Sequence, residues 1–443
     1  MTGLVEKRSV DRVPDNERTS GFWALLMLWT GFSISVGRLW QGGLISGAGF
    51  WDAVTGCVIA QILLTYVALG TIMGAAEGLP GTMIMRAAFG IRGRYIPSIP
   101  LIIATIGWFG LQLGITVSAV DKIIKTLYGD WGVPINVQYI IVAFLMGIIS
   151  IYGYKVVMWF QKFVSPLLLI LVPWMIYRMV TQYDVIFEIN RPREVNMSIF
   201  QAITILSGAM LAMLIAAADS SRYAKSRTAA FSGFMAAHWS AGTVMFIIGI
   251  MGAVIVGVWD PASIVDRLGL GITGLFIVFF SAWSTNCLNP YWGGIALSTL
   301  TTGNKRLPHG IPRVTSTALV VGAGALSAVF GIYSITGLMG FVNILAGTLG
   351  PANGIIIADY FFLRGKGTNK LDADELVKVN GKYWYNKGWN PVALVVWIIG
   401  IVYTTVFKTS YFLITPISTQ ILCGILYYIL MKTIGKQHLE KSL

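Results

Sequence analysis

The sequence predicts an all-α integral membrane protein of twelve transmembrane helices. Three observations predict it. Only 12% of the 443 residues are charged and 56% are hydrophobic, whereas a soluble domain carries about 25% charged residues. Apolar runs of bilayer-crossing length, about 20 residues or more when tilted, recur along the whole chain. The 32 Lys and Arg fall mostly between alternate runs.

The spans, in order, are 22–48, 52–76, 96–124, 135–153, 157–180, 198–219, 230–257, 271–300, 314–332, 336–363, 391–407 and 413–433. Residues 1–20 are polar and charged, so no removable signal peptide is expected. Span 1 holds Gly31, Gly37, Gly42, Gly43, Gly47 and Gly49, enough glycine to break a helix. The stretch 80–94, "PGTMIMRAAFGIRGR", is too short and too basic to span and reads as an interfacial helix. Span 6 carries a second small-residue cluster, "SGAM", around Gly208. Interrupted first helices in two corresponding halves point to inverted repeats. Spans 1–5 (21–181) and 6–10 (198–364) would form the repeats. A cytoplasmic loop (365–390), two appended spans (391–434) and a short tail (435–443) would follow. In span 8 Pro290 is expected to break the helix.

With the N-terminus inside, cytoplasmic segments hold 24 Lys and Arg, outer segments hold 7, and Arg38 remains within span 1. That is the positive-inside pattern. It places both termini in the cytoplasm, with the plasma (inner) membrane as the expected location. It also accounts for the net charge of +13 through topology and anionic lipid, which removes the nucleic-acid reading. The three cysteines, Cys57, Cys287 and Cys423, lie in apolar segments, and His238, His309 and His438 are scattered. No disulfide framework, metal motif or hydrolase constellation follows from them. Rings of like charge and pore loops, the marks of a channel, are absent from the sequence. A carrier with a small mid-membrane site is the reading that remains.

Polar side chains cluster in spans 1, 3, 6 and 8. Trp108 and Gln112 are four residues apart and share a helix face. An indole beside an amide suits a flat heterocycle, which would stack on one and hydrogen-bond the other. An aromatic core residue beside a helix-bridging glutamine would give the same pattern. Ser281, Ser284 and Thr285 stand at i, i+3 and i+4. Their hard, neutral oxygens suit an alkali cation, although hydroxyls in membranes also bond back to their own helix. Asn286 and Asn289 follow. Asp219 and Arg222 stand at i, i+3 near the cytoplasmic end of span 6, where an intrahelical ion pair is expected; Asp359 holds a similar place in span 10, and gating or anchoring suits both.

At these residues the chain resembles the nucleobase–cation symporter family, the group of cytosine, hydantoin and allantoin permeases. The motifs are "RAAFGIRGRYIPS", "GWFGLQ", "ADSSRYAKS", "WSTN" and "GPANGIIIADYFFLR", spread over nearly the whole chain. The stretch "DELVKVNGKYWYNKGWNPVAL" is closer to the hydantoin and allantoin branch. The resemblance implies a leucine-transporter-type fold of 5+5 inverted repeats with broken helices 1 and 6. It also implies Na⁺ or H⁺ as coupling ion, no other cofactor, and a monomer working by alternating access in lipid. It implies that Trp108 stacks on the substrate and Gln112 binds the ring edge. Asn286 or Asn289 would approach the substrate. A sodium ion would be held by Ser281, Ser284 and Thr285 with span 1 carbonyls at Phe32 and Ser35. Two departures stand out. Met210 and Ala212 replace the aromatic or hydroxyl side chain usual in span 6, and Arg38 replaces a small or neutral residue.

Arg38 has three readings: a partner for an anionic substrate group, a fixed charge replacing the coupling ion, or a side chain that snorkels to a vestibule or caps carbonyls. An arginine at mid-bilayer costs about 2.5–3.5 kcal/mol on insertion scales, so it marks function by default. The rival functions are an amino-acid or other organic-ion carrier on the same fold, or a non-transporting membrane sensor.

Overall fold

A computed structural model describes residues 11–302, 307, 310–365, 370–407 and 413–442. His309 and residues 1–10 lie outside the described residues. Among the described residues eight helices are long and apolar enough to cross a bilayer: Phe50–Glu77, Tyr95–Tyr128, Ile135–Tyr152, Trp159–Gln182, Ile199–Ser221, Arg227–Val256, Gly271–Thr301 and Gly340–Leu363. The bent pairs Phe22–Ser33 with Val36–Ala48 and Thr415–Lys432 with Lys436–Ser442 raise the number to ten. Arg313–Val329 and Pro391–Phe407 are shorter apolar helices. The rest of the described residues form short α-helices, turns, 3₁₀ segments and two isolated bridges.

Span 1 is broken, but not by its glycines. The first half ends at Ser33, Ile34 and Ser35 leave helical geometry, and the second half starts at Val36 with its axis turned by 49°. Ser35 is extended (φ −138°, ψ 145°) and caps the new helix through its side chain. The glycines serve packing instead. A Cβ on Gly42 would collide with the Phe246 carbonyl, and one on Gly249 with the Leu39 carbonyl. The backbones of spans 1 and 7 therefore touch, as small residues allow in lipid.

Span 6 is interrupted at Met210–Ala212, between Ile199–Ala209 and Met213–Ser221, yet its axis runs on as one span. Tightened i→i+3 bonds from Met210 N to Ser207 O and Met213 N to Met210 O replace the regular ladder. Span 8 is not broken at Pro290. The regular pattern lapses only at Cys287, and the helix continues to Thr301. Ser150 donates to the Cys287 carbonyl at 2.9 Å, and that bond helps to hold the lapse.

The segment 80–94 is not interfacial. Residues 80–91 are buried throughout, with Arg86 fully enclosed. Short helices at Gly81–Ile84 and Arg86–Phe89 lie under the loop 370–390. Arg86 donates to the carbonyls of Leu376 and Thr299, Tyr385 to that of Ala87, and Asn390 to that of Ala88. Burial pushes the Tyr385 phenol up to about 12, so it is protonated and able to donate at neutral pH. The tails also join the body. Val13 is buried and bonds Gly78, while the helix Lys436–Ser442 folds back so that Ser442 O accepts from Arg364.

Candidate functional site

The second half of span 1 begins opposite span 8. In a continuous helix Val36 N–H would bond the carbonyl of Phe32. It donates instead to Ser281 Oγ at 3.2 Å. The break thus turns the Phe32 carbonyl loose from its own ladder and ties span 1 to span 8. Ser35 O, by contrast, accepts from Arg38 N and Leu39 N. Thr285 Oγ1 and Ser284 Oγ both donate to Ser281 O, at 2.7 and 3.1 Å. The hydroxyls do bond back to their own helix, and that bond fixes each oxygen while leaving its lone pairs available.

A cavity of about 50 Å³ lies between spans 1, 3, 6 and 8. Trp108, Gln112, Asn289, Met210 and Arg38 all line it, as do Phe32, Ser35 and Thr285 from the candidate cation set. Ser281 and Ser284 stand behind that wall. Trp108 is held edge-on by Phe341 of span 10, with ring centres 5.5 Å apart. The Gln112 amide rests against Gly37, where an added Cβ would be 3.7 Å from its carbon. Gln112 Oε1 is buried without a hydrogen-bond partner.

Asn286 does not reach the cavity. Its amide donates to Phe109 O at 2.9 Å, and its Oδ1 accepts from Asn289 Nδ2 at 2.9 Å. Asn286 anchors span 8 to span 3 and orients Asn289, which faces the cavity.

Aromatic side chains pack against both halves of span 1. On the second half Trp40 stacks on Tyr333 at 6.1 Å beside Trp259, and Tyr333 donates to Asp260. On the first half Phe32 meets Trp292 of the cavity wall edge-on at 5.7 Å, and Trp292 donates to Ser220 Oγ.

A family model described as permease for cytosine/purines, uracil, thiamine, allantoin matches residues 12–430. The chain belongs to this family. The hydantoin permease of Microbacterium maritypicum is 28% identical over 418 residues, spanning 87% of this chain and 81% of the relative. The cytosine permease of Escherichia coli (strain K12) is 23% identical over 357 residues, 80% of each chain. A solved nucleobase-cation-symport-1 family transporter, closed with bromovinylhydantoin bound, matches with a TM-score of 0.81 at 23% identity over 99% of both chains. A Na⁺-coupled sialic acid symporter matches at 0.62 and 16%, over 94% of this chain and 91% of the other. At such identities these structures establish the fold alone. The chain is therefore a membrane permease, a transporter and not an enzyme, for a nucleobase or related planar nitrogen heterocycle.

Among the residues on the permease's cavity wall that sequence reasoning missed are Gln41, Thr105, Met213 and Trp292. Helical spacing could have found three of them. Thr105, Trp108 and Gln112 share one face of span 3, as Thr285, Asn289 and Trp292 do of span 8. Gln41 lies one turn beyond Arg38. Met213 had no pattern to mark it, because the register of span 6 changes across its interruption.

The acids at the ends of spans 6 and 10 are anchors. Asp219 Oδ1 accepts from Gly81 N at 2.8 Å. Asp359 pairs with Arg364 at 2.6 Å, both buried, and accepts from Tyr427 at 2.9 Å. Arg364 also donates to the Ala87 carbonyl. These contacts fasten spans 6, 10 and 12 to the buried segment 80–94, away from the cavity.

Proposed function

We propose that this permease carries its heterocycle together with a cation by alternating access, on twelve spans arranged as two inverted repeats of five plus two. The single observation that carries the reading is one cavity. Its wall brings two indoles, three amides and three hydroxyls together at the break in span 1. The ring stacks on Trp108, and its edge meets Gln112 and Asn289. Met210 and Met213, flexible and polarisable, supply an adaptable wall on the span 6 side. Sodium is the favoured coupling ion. Phe32 O, Ser284 Oγ and Thr285 Oγ1 are hard, neutral oxygens that hold an alkali ion without a buried counter-charge. Ser35 O and Ser281 O are the weaker candidates, because each already accepts two hydrogen bonds.

A cation between spans 1 and 8 favours the conformation in which the two approach, which links ion binding to substrate binding. The cavity of about 50 Å³ is smaller than the roughly 150 Å³ that receives a benzene-sized ring. Loading therefore needs side chains to shift, the methionines and Trp292 foremost. The charge asymmetry supports cytoplasmic termini in the plasma membrane, and nothing in the site requires a second copy of the chain.

The test is ligand-induced thermal stabilisation of the purified permease with cytosine, uracil, hydantoin, allantoin and amino acids, each with and without Na⁺. Stabilisation by planar rings that grows with Na⁺ is expected. Stabilisation by amino acids alone would replace this reading with that of an organic-ion carrier.

A further inference from the structure

Arg38 is the one charged residue among those lining the cavity. It is buried to 3% exposure, so it does not snorkel to water. A guanidinium carries its charge throughout the physiological range. Arginines within membranes pair with acidic groups or carbonyls, or mark a substrate path. Among the described residues no carboxylate forms an ion pair with Arg38. Its Nε and Nη1 have no acceptor. Its polar side-chain contact is Nη2 to His238 Nδ1 at 3.4 Å, near the long limit for a hydrogen bond.

The surroundings are shaped to hold this cation without neutralising it. The guanidinium carbon lies 5.0 Å from the Phe246 ring centre and 5.9 Å from that of Phe32. Both are cation–π distances. Span 7 adopts a π turn at His238–Gly242 opposite it, the kind of local strain that gathers at functional positions. Gly242 leaves the space, since a Cβ there would stand 2.8 Å from Nη1. Gln61 fixes the turn by donating to His238 O and Thr243 Oγ1, each at 3.0 Å. These contacts hold the guanidinium between span 7 and the Phe32 ring, on a residue that lines the cavity.

We infer that Arg38 is a specificity residue that selects a monoanionic planar heterocycle, bearing a ring carboxylate or an ionised imide, over its neutral counterpart. The inference rests on the heterocycle reading and narrows it. The substrate would supply the negative charge that the protein withholds, as a charge-assisted partner for the guanidinium. It would also bring a counter-charge for the coupling cation, so that neither charge need enter the cavity alone.

The experiment compares uracil-6-carboxylate with uracil-6-carboxamide, its neutral isostere, together with uracil and hydantoin. Binding is measured calorimetrically on the purified permease in Na⁺, for wild type, Arg38→Gln and Arg38→Lys. The expected result is wild-type binding of the carboxylate about tenfold or more tighter than the carboxamide. Arg38→Gln loses that preference and Arg38→Lys keeps most of it. Equal or tighter binding of the carboxamide by wild type overturns the inference while leaving the heterocycle reading intact. Failure of all four rings to bind overturns the heterocycle reading and the inference with it. The wild-type comparison decides even if neither variant folds.

Discussion

Trp108 and Gln112 carry different parts of the binding reading, and substitution separates them. Stacking of a base on an aromatic ring is worth about 1–3 kcal/mol. Trp108→Ala should therefore weaken ring binding by tenfold or more, about 1.4 kcal/mol, read by titration of the purified permease. Gln112→Ala removes one ring-edge hydrogen bond and should cost about 1 kcal/mol, with altered preference among rings of different edge pattern. Equal losses for rings with and without that edge would contradict the role. Both residues were legible from spacing alone, because four residues on a helix share a face whatever the fold around them. Asn286 and Asn289 were not separable in this way. Three residues apart, they share a face as well, and only the neighbouring carbonyl of Phe109 shows which of them is turned to span 3. The surroundings of Arg38 were equally hidden, since His238 is 200 residues away along the chain.

The elements that matter are the interrupted ones. Breaks in spans 1 and 6 were legible as small-residue clusters, but their positions were not. Ser35 and a tertiary bond to Ser281 fix the first, and a short run of i→i+3 bonds at Met210–Ala212 fixes the second. Glycine density marked close backbone packing more faithfully than it marked the break. Ser281→Ala leaves Val36 N–H buried without its acceptor. It should destabilise the permease by about 1–3 kcal/mol and weaken Na⁺ binding more than ring binding, measured as Na⁺-dependent and ring-dependent shifts in Tm. An unchanged response to Na⁺ would detach the span 8 hydroxyls from coupling. Pro290 misled for a physical reason: a proline within the first turns of a helix segment removes little. The segment 80–94 misled because its arginines suggested an interface. Arg86 and Arg94 instead bond main-chain carbonyls at the ends of other elements. In the same layer, Asp359→Asn unpairs the buried Arg364. A loss of about 3–5 kcal/mol is expected, seen as a lower melting temperature with ring affinity unchanged.

On the scale of the whole molecule, sequence composition was enough for the class and for most of the spans. Apolar length and charge asymmetry do not depend on tertiary detail. The cavity did depend on it, because it is assembled from spans that are far apart in sequence and contribute one or two residues each. Its small volume fits a carrier whose side chains must shift to load a substrate. The most direct test is uptake of a labelled ring into proteoliposomes under an imposed Na⁺ gradient, with wild type and Trp108→Ala side by side. Saturable uptake that follows the Na⁺ gradient and is lost in Trp108→Ala is the predicted result. Uptake that persists in Trp108→Ala, or that ignores every imposed cation gradient, would contradict it.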